Sequence, residues 1–264
     1  MSRILSLNGR YYRAIPLDKG GYETQAVELD ADKTTLVVLH CWDIGCAGGP
    51  AIDPNYLVGM GTYESFHEAS RIMKECIRPA MDAAREAHVL VSHVEHPDIW
   101  KKHPECKEDI DPPGPPPSYT PPPVVPGWRE HIAARSHGTD YATKSPYARM
   151  DRATIVAALP GEPFVYQTNQ FDRVLRRHGI ENLIYCGFAT DMCILFAPGG
   201  IQSMAGFGYR TFLMRDATAG IDFADTFADR IATRWAIRYF ETHYGDTIRS
   251  AEFIAACRRC GPAG

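Results

Sequence analysis

The sequence predicts an α/β protein: three layers, α/β/α, around a mainly parallel, doubly wound sheet. Short apolar runs rich in β-branched residues recur along the chain, and segments with apolar residues at helical spacing lie between them. A continuously apolar run suits a strand covered on both faces, the condition of a parallel sheet packed between helices. The chain has 264 residues, 45% hydrophobic and 23% charged, and no visible internal repeat, which fits a single domain spanning 1–264.

Residues 1–33 mix Tyr, Arg and Gly without a sustained period and are expected to form an N-terminal arm, compatible with a hairpin, that covers the domain or a partner subunit. Thr35-Leu36-Val37-Val38-Leu39 is the first core strand, so His40 to Gly49 should approach a site, because ligands of open α/β sheets bind beyond the carboxyl ends of strands. Glu64 to Ala87 reads as a long helix with Phe66, Ala69, Ile72, Met73, Cys76 and Ile77 on one face and a bend at Pro79. His88 to Ser92 is the second strand and delivers His93, Glu95 and His96 near its end. These three are a polar pocket wall or a solvated turn; a metal site would need a better-spaced third ligand, and no metal is assigned.

Residues 97–152 form a Pro-rich insertion, dominated by Asp111-Pro112-Pro113-Gly114-Pro115-Pro116-Pro117 and Pro121-Pro122-Pro123. Such prolines forbid helix and ladder and favour extended geometry, in a lid or a surface arm. The sheet pattern then resumes with Phe164-Val165-Tyr166, a helix over Phe171 to His178 ended by Gly179, and a strand over Asn182 to Cys186. Another strand, Thr211 to Met214, and a helix over Thr226 to Tyr244 complete the pattern.

A net charge of -4 and scattered basic residues argue against nucleic-acid binding and favour a small-molecule partner. No apolar stretch reaches membrane-spanning length and the N-terminus lacks a signal-peptide pattern, so the cytoplasm is expected. Eight cysteines in 264 residues are no disulfide framework, and Cys257-Arg258-Arg259-Cys260 has no second ligand pair, which makes it the end of a helix.

Chemistry concentrates at Gly187-Phe188-Ala189-Thr190-Asp191-Met192-Cys193-Ile194, directly after the strand Asn182 to Cys186. Gly and small residues turn the strand into a helix and put Cys193 in its first turn. There the helix dipole and free N–H groups would lower the thiol pKa and make Cys193 a candidate nucleophile.

This segment resembles the core motif of the isochorismatase-like cysteine hydrolases, Gly-x-Ala-Thr-x-x-Cys-Val. The likeness runs from about Thr34 to Gly220 and includes Leu175 to Ile180, Gly208-Tyr209-Arg210 and Arg215 to Ala219. It implies an isochorismatase-like fold, a cofactor-independent cysteine mechanism, an oxyanion hole from the Ala189 and Cys193 amides, and a cis peptide at Phe188-Ala189. Family members end the first strand with an aspartate base and supply a lysine after the third strand. Those slots hold His40 and Gln167 here. Losing both keeps the buried charge balanced, since an unpaired buried lysine costs several kcal/mol.

His40 is therefore read as the base, or as the imidazolium of a preformed thiolate pair, with activity falling as pH drops through about 6.5. Asp43 is the rival base or an orienting group; its structural role would be to cap the turn. Gln167, His93, Trp42 and Thr190 are candidate substrate contacts, and Lys144 is a surface residue unless the insertion folds it over the site. Ala197-Pro198-Gly199-Gly200 should break the helix soon after the nucleophile.

The reading favoured is a hydrolase acting on a C–N bond of a small amide or carbamoyl compound. A catalytically silent metabolite-binding or assembly protein and a vinyl-ether hydrolase are the alternatives. A homo-oligomer is expected from the apolar surface of the arm, the insertion and the helix Thr226 to Tyr244.

Overall fold

The structure, a computed structural model, describes residues 3–56, 61–104, 110–112 and 121–261. The chain opens with an antiparallel hairpin, β1 (Ile4–Arg13) and β2 (Gly21–Asp30), paired from Ile4–Asp30 to Arg13–Gly21. Leu5, Leu7, Val27 and Leu29 alternate inward, the period of a strand with one buried face. β3 (Thr34–Leu39) is buried along its whole length: Leu36 and Val38 enter one core cluster, Val37 and Leu39 the other.

Thr62 caps α1 (Tyr63–Ile72) by accepting from the Ser65 N–H. A π-type turn, Met73–Ile77, leads into α2 (Arg78–Glu86), and Pro79 sits in the first turn of α2, where its missing N–H costs little. β4 (Leu90–Val94) starts two residues later than the sequence suggests, so His93 lies within the strand. Among its described residues the insertion carries three short α-helices, α3 (Pro97–Trp100), α4 (Trp128–His137) and α5 (Tyr141–Lys144). Its proline run extends into 113–120, outside the described residues.

β5 (Phe164–Val165) is only two residues long and is followed by α6 (Thr168–Arg177) and the wholly buried β6 (Asn182–Phe188). Then come α7 (Ile201–Gly206), β7 (Arg210–Ala219), α8 (Ile231–His243), β8 (Gly245–Ile248) and α9 (Ser250–Cys260). α8 begins five residues later than expected because Asp222 fixes its start, accepting from the Ala232 N–H at 2.8 Å and the Thr233 hydroxyl at 2.8 Å.

The strand order is β2-β1-β8-β7-β6-β3-β4-β5, parallel except where β1 meets β2 and β8. Two core clusters lie on opposite faces of the sheet, giving the three-layer arrangement. The arm is thereby part of the sheet, extending it beyond β8. No helix among the described residues is long and apolar enough to cross a membrane.

Candidate functional site

The carboxyl ends of β3, β4 and β6 lie side by side, with Leu39 beside both Val94 and Gly187. At the end of β6 the pairing with β7 shifts between Tyr185 and Gly187, and Gly187 has φ +120. A Cβ there would lie 1.9 Å from the Leu39 carbonyl oxygen, so only glycine fits. The Phe188-Ala189 peptide is cis, and Thr190–Ile194 then wind as a π-type turn.

Cys193 is half-buried on this turn, and its thiol is hydrogen-bonded by the Ala189 backbone amide. Burial nevertheless pushes the thiol pKa up, against the pull of that amide, and Asp191 adds to the rise. The sequence reading expected the reverse. The helical run ends by Phe196 and is interrupted over Ala197–Gly200, so little macrodipole accumulates. A helix end of ordinary strength contributes about 0.3–1 kcal/mol, less than one pKa unit. The break itself appears where the prolines and glycines place it. It is pinned by the Tyr185 hydroxyl donating to the Gly199 carbonyl at 2.9 Å and by the Gly199 N–H donating to Thr168 Oγ1 at 2.9 Å.

His40 follows β3 with φ +49, its backbone N–H on the Val94 carbonyl at 2.9 Å. The ring is buried, donates to the Glu95 backbone carbonyl, and stands edge to face with His96 at 5.7 Å. Burial, reinforced by His96, lowers its pKa to about 3. A ring held neutral and a thiol held protonated disfavour a preformed ion pair, and the lowered His40 pKa runs against the expected titration near 6.5.

Asp43 is turned toward the returning insertion. Its Oδ1 accepts from the Asp151 N–H at 2.8 Å, and its N–H donates to the Asp151 carbonyl at 2.8 Å. With the Ala153 N–H on the Cys41 carbonyl at 2.8 Å and the antiparallel bridge between Trp42 and Arg152, this forms a short ladder. Burial raises the Asp43 pKa. Among the described residues no hydrogen bond joins Cys193 to either His40 or Asp43.

The ladder brings in Tyr147, which sequence reasoning missed. Its ring packs edge to face on Trp42 at 5.5 Å and lies 6.1 Å from Phe66, and burial pushes its hydroxyl pKa well up. Trp42 also stands 6.2 Å from Phe188. Glu95, which the sequence places in a polar pocket wall or a solvated turn, is fully buried, and burial lifts its pKa to about 8. No periodicity marks 147–153 as a site wall; the only sequence signal was a long insertion returning just before a core strand.

Other candidates have structural partners. Thr190 is buried with its hydroxyl 2.7 Å from that of Thr218. Gln167 accepts from the Asp111 N–H at 2.8 Å and donates to the Tyr166 hydroxyl at 3.1 Å. His93 Nε2 lies 3.0 Å from Glu162 Oε2, and Arg85 Nε pairs with Glu162 Oε1 at 2.7 Å. Burial lowers the His93 pKa; it also pushes Glu162 up, but the bonds from His93 and Arg85 outweigh this and hold Glu162 at about 2. Lys144 is exposed and paired with Asp140 at 2.7 Å. No group of three or more His, Cys, Asp or Glu suited to a metal ion occurs among the described residues. A cleft of about 640 Å³ lined by Arg152, Glu162, Phe164, Arg177 and His178 lies along the β5 edge, and Cys193 is not among its lining residues.

Comparison with known proteins adds to this geometry. A family profile described as "Isochorismatase domain" matches residues 55–237. The ureidoacrylate amidohydrolase RutB of Azorhizobium caulinodans is 30% identical over 125 residues, 44% of this chain and 49% of that protein. The chain therefore spans about half the length of the curated relative it matches. The crystal structure of a cysteine hydrolase from Pseudomonas syringae pv. phaseolicola 1448A is similar in fold. Its TM-score is 0.55 at 16% identity, covering 88% of this chain and 95% of that one.

Proposed function

Because the chain belongs to the isochorismatase family of hydrolases, we propose that it is a cofactor-independent cysteine hydrolase that cleaves a C–N bond of a small amide or carbamoyl compound. The observation that carries this reading is the Ala189 amide hydrogen-bonded to the half-buried Cys193 thiol at the carboxyl end of the sheet. The name of the matched relative, ureidoacrylate amidohydrolase, supports an amide as substrate.

In this mechanism His40 Nδ1, a lone pair on a neutral ring, accepts the thiol proton as sulfur attacks the carbonyl. General-base assistance is the route that suits a thiol held protonated. The Ala189 and Cys193 amides receive the oxyanion, a contribution of a few kcal/mol in the transition state. Protonated His40 returns the proton to the leaving amine, and water cleaves the Cys193 thioester. Trp42 and Thr190 line the site. Asp43 positions the loop of His40, and Gln167 and His93 support the walls through their own partners.

The protein acts in the cytoplasm as a homo-oligomer, for which the half-exposed Ile231 and Trp235 on α8 offer an apolar stripe. A sedimenting species of 29.4 kDa at micromolar concentration would count against assembly. For the chemistry, the test is incubation with a panel of small amides, reading ammonia or amine release and an acyl adduct on Cys193 by mass spectrometry. Turnover with an adduct that vanishes in Cys193→Ala is expected. Release of pyruvate from a vinyl ether, without any adduct, would replace this reading.

A further inference from the structure

The turn that carries Cys193 is fastened from within and from outside. Within it, the Ala189 carbonyl accepts from the Met192 N–H at 3.1 Å and from the Ile194 N–H at 3.0 Å. From outside, the Thr190 and Thr218 hydroxyls meet at 2.7 Å, and Asp191 Oδ1 accepts from the Ile221 N–H at 3.0 Å. A Cβ on Gly220 would lie 3.1 Å from that same oxygen and 2.9 Å from the Thr233 nitrogen, so the loop after β7 passes between the turn and α8 only as glycine.

That loop is itself held at the start of α8. The Gly220 N–H donates to the Thr233 hydroxyl at 2.8 Å, the Thr233 hydroxyl donates to Asp222 Oδ2 at 2.8 Å, and Asp222 Oδ1 accepts from the Ala232 N–H at 2.8 Å. Asp222 and Thr233 are buried, where a lost hydrogen bond is not replaced by water. Asp191 thus ties the nucleophile turn to a loop that is fixed to α8.

An amide would serve this tie as well as a carboxylate, so the charge asks for its own explanation. It is held against opposition: burial raises the Asp191 pKa, and the charge of Asp222 adds to the rise. At Cys193 the Asp191 charge acts in the same direction as burial, against the Ala189 amide. A thiol kept protonated resists alkylation and oxidation, and it becomes nucleophilic when a base removes its proton during attack.

We propose that Asp191 is a positioning residue of the Cys193 site, which hooks the nucleophile turn to the loop before α8 and keeps a negative charge beside the resting thiol, so that the sulfur does not react with stray electrophiles. The proposal rests on the cysteine-hydrolase reading and deepens it by saying what guards the thiol between turnovers.

Two substitutions in the full chain separate the hook from the charge. Asp191→Asn keeps an oxygen that accepts from Ile221 and removes the charge; Asp191→Ala removes both. The charge is read by alkylation of Cys193 with iodoacetamide across a pH series, followed by peptide mapping. In that reaction sulfur forms an S–C bond, iodide leaves and the thiol proton goes to solvent. Asp191→Asn should move the alkylation profile to lower pH and speed the reaction at neutral pH by about two- to fivefold, the gain in thiolate being partly offset by its lower nucleophilicity.

The hook is read by amide hydrogen exchange. Peptides over residues 190–194 and 219–223 should exchange about five- to tenfold faster in Asp191→Ala and at the parental rate in Asp191→Asn, the loss of one hydrogen bond in the first variant only. If folded Asp191→Asn keeps the parental alkylation profile, or if Asp191→Ala leaves the exchange of both peptides unchanged, the proposal is overturned. A Cys193 inert to iodoacetamide in the parent and in both variants overturns it as well, because the carboxylate is then not what guards the thiol. The hydrolase reading fails separately, on a parent protein that releases no amine and forms no acyl adduct with the amide panel.

Discussion

At the residue scale the decisive quantities are the protonation states of His40 and Cys193, the two groups assigned to the proposed chemistry. Burial holds the thiol up and the imidazole down to about 3, so both groups are neutral over the working range. His40→Asn should then lower turnover by about 100-fold or more, while Asp43→Asn, whose carboxylate accepts from Asp151, should cost less. The rate on a hydrolysed amide should stay level as pH falls through 6.5, because His40 keeps its lone pair down to about 3. A clear acid limb at 6.5 that disappears in His40→Asn would show the ring to be far less desolvated. Glu95 gives a stability prediction of opposite sign. Its folded pKa of about 8 exceeds the ~4.3 of an unfolded glutamate, so the native state binds the extra proton between those values. Stability is therefore lost as pH rises from about 4 to 8. Glu95→Gln should melt higher than the parent at pH 8.5, by an increment worth a few kcal/mol, and match it near pH 4. Calorimetry at the two pH values decides. The turn that carries Cys193 was legible in the sequence because it holds a distinctive run of small residues directly after a strand. The partners of Asp43, Gln167 and His93 were not, since Asp151, Asp111 and Glu162 lie far from them along the chain.

At the scale of elements, the turn that carries Cys193 is entered through a glycine. Gly187 closes β6 where its pairing with β7 slips, and its φ of +120 lets the strand pass against the Leu39 carbonyl. Gly187→Ala brings a Cβ to 1.9 Å from that oxygen in a backbone region that L-residues avoid. The neighbour is backbone in a central strand and cannot rotate away. We expect a loss of at least about 3 kcal/mol in urea unfolding, at the upper end of what overpacking usually costs. A loss below about 1 kcal/mol would mean that β3 and β6 part easily and that the site is not built on a rigid frame. Long elements such as β3, α6 and β6 could be read from their periodicity. Two-residue β5 was legible only as the apolar run Phe164-Val165-Tyr166, and four-residue β8 was not, because it is too short to display a period and exists only through the strand beside it. The hairpin of β1 and β2 was ambiguous for a related reason. Only some of its alternate residues are apolar, and its pairing with β8 joins ends of the chain more than 200 residues apart.

At the scale of the molecule, that distant pairing decides whether the arm is an accessory or part of the core. β1 meets β8 at Arg10 and Thr247, and the same two residues converge on Glu241 of α8. The Glu241 side chain is fully buried; Arg10 Nε lies 2.7 Å from its Oε1, and the Thr247 hydroxyl donates to the same oxygen at 2.5 Å. Sheet edge, hairpin and helix are thus fastened by one carboxylate. Replacing the pair with apolar residues need not destabilise, but removing a single partner leaves a buried charge uncompensated. Arg10→Met should therefore cost about 3–5 kcal/mol, whereas Arg10→Met combined with Glu241→Leu should recover most of the loss. Urea unfolding of the two variants measures this, and alkylation of Cys193 in the folded fraction separates it from damage to the site. If Arg10→Met unfolds at the parental midpoint, the hairpin is only laid against the sheet, and the core ends at β8.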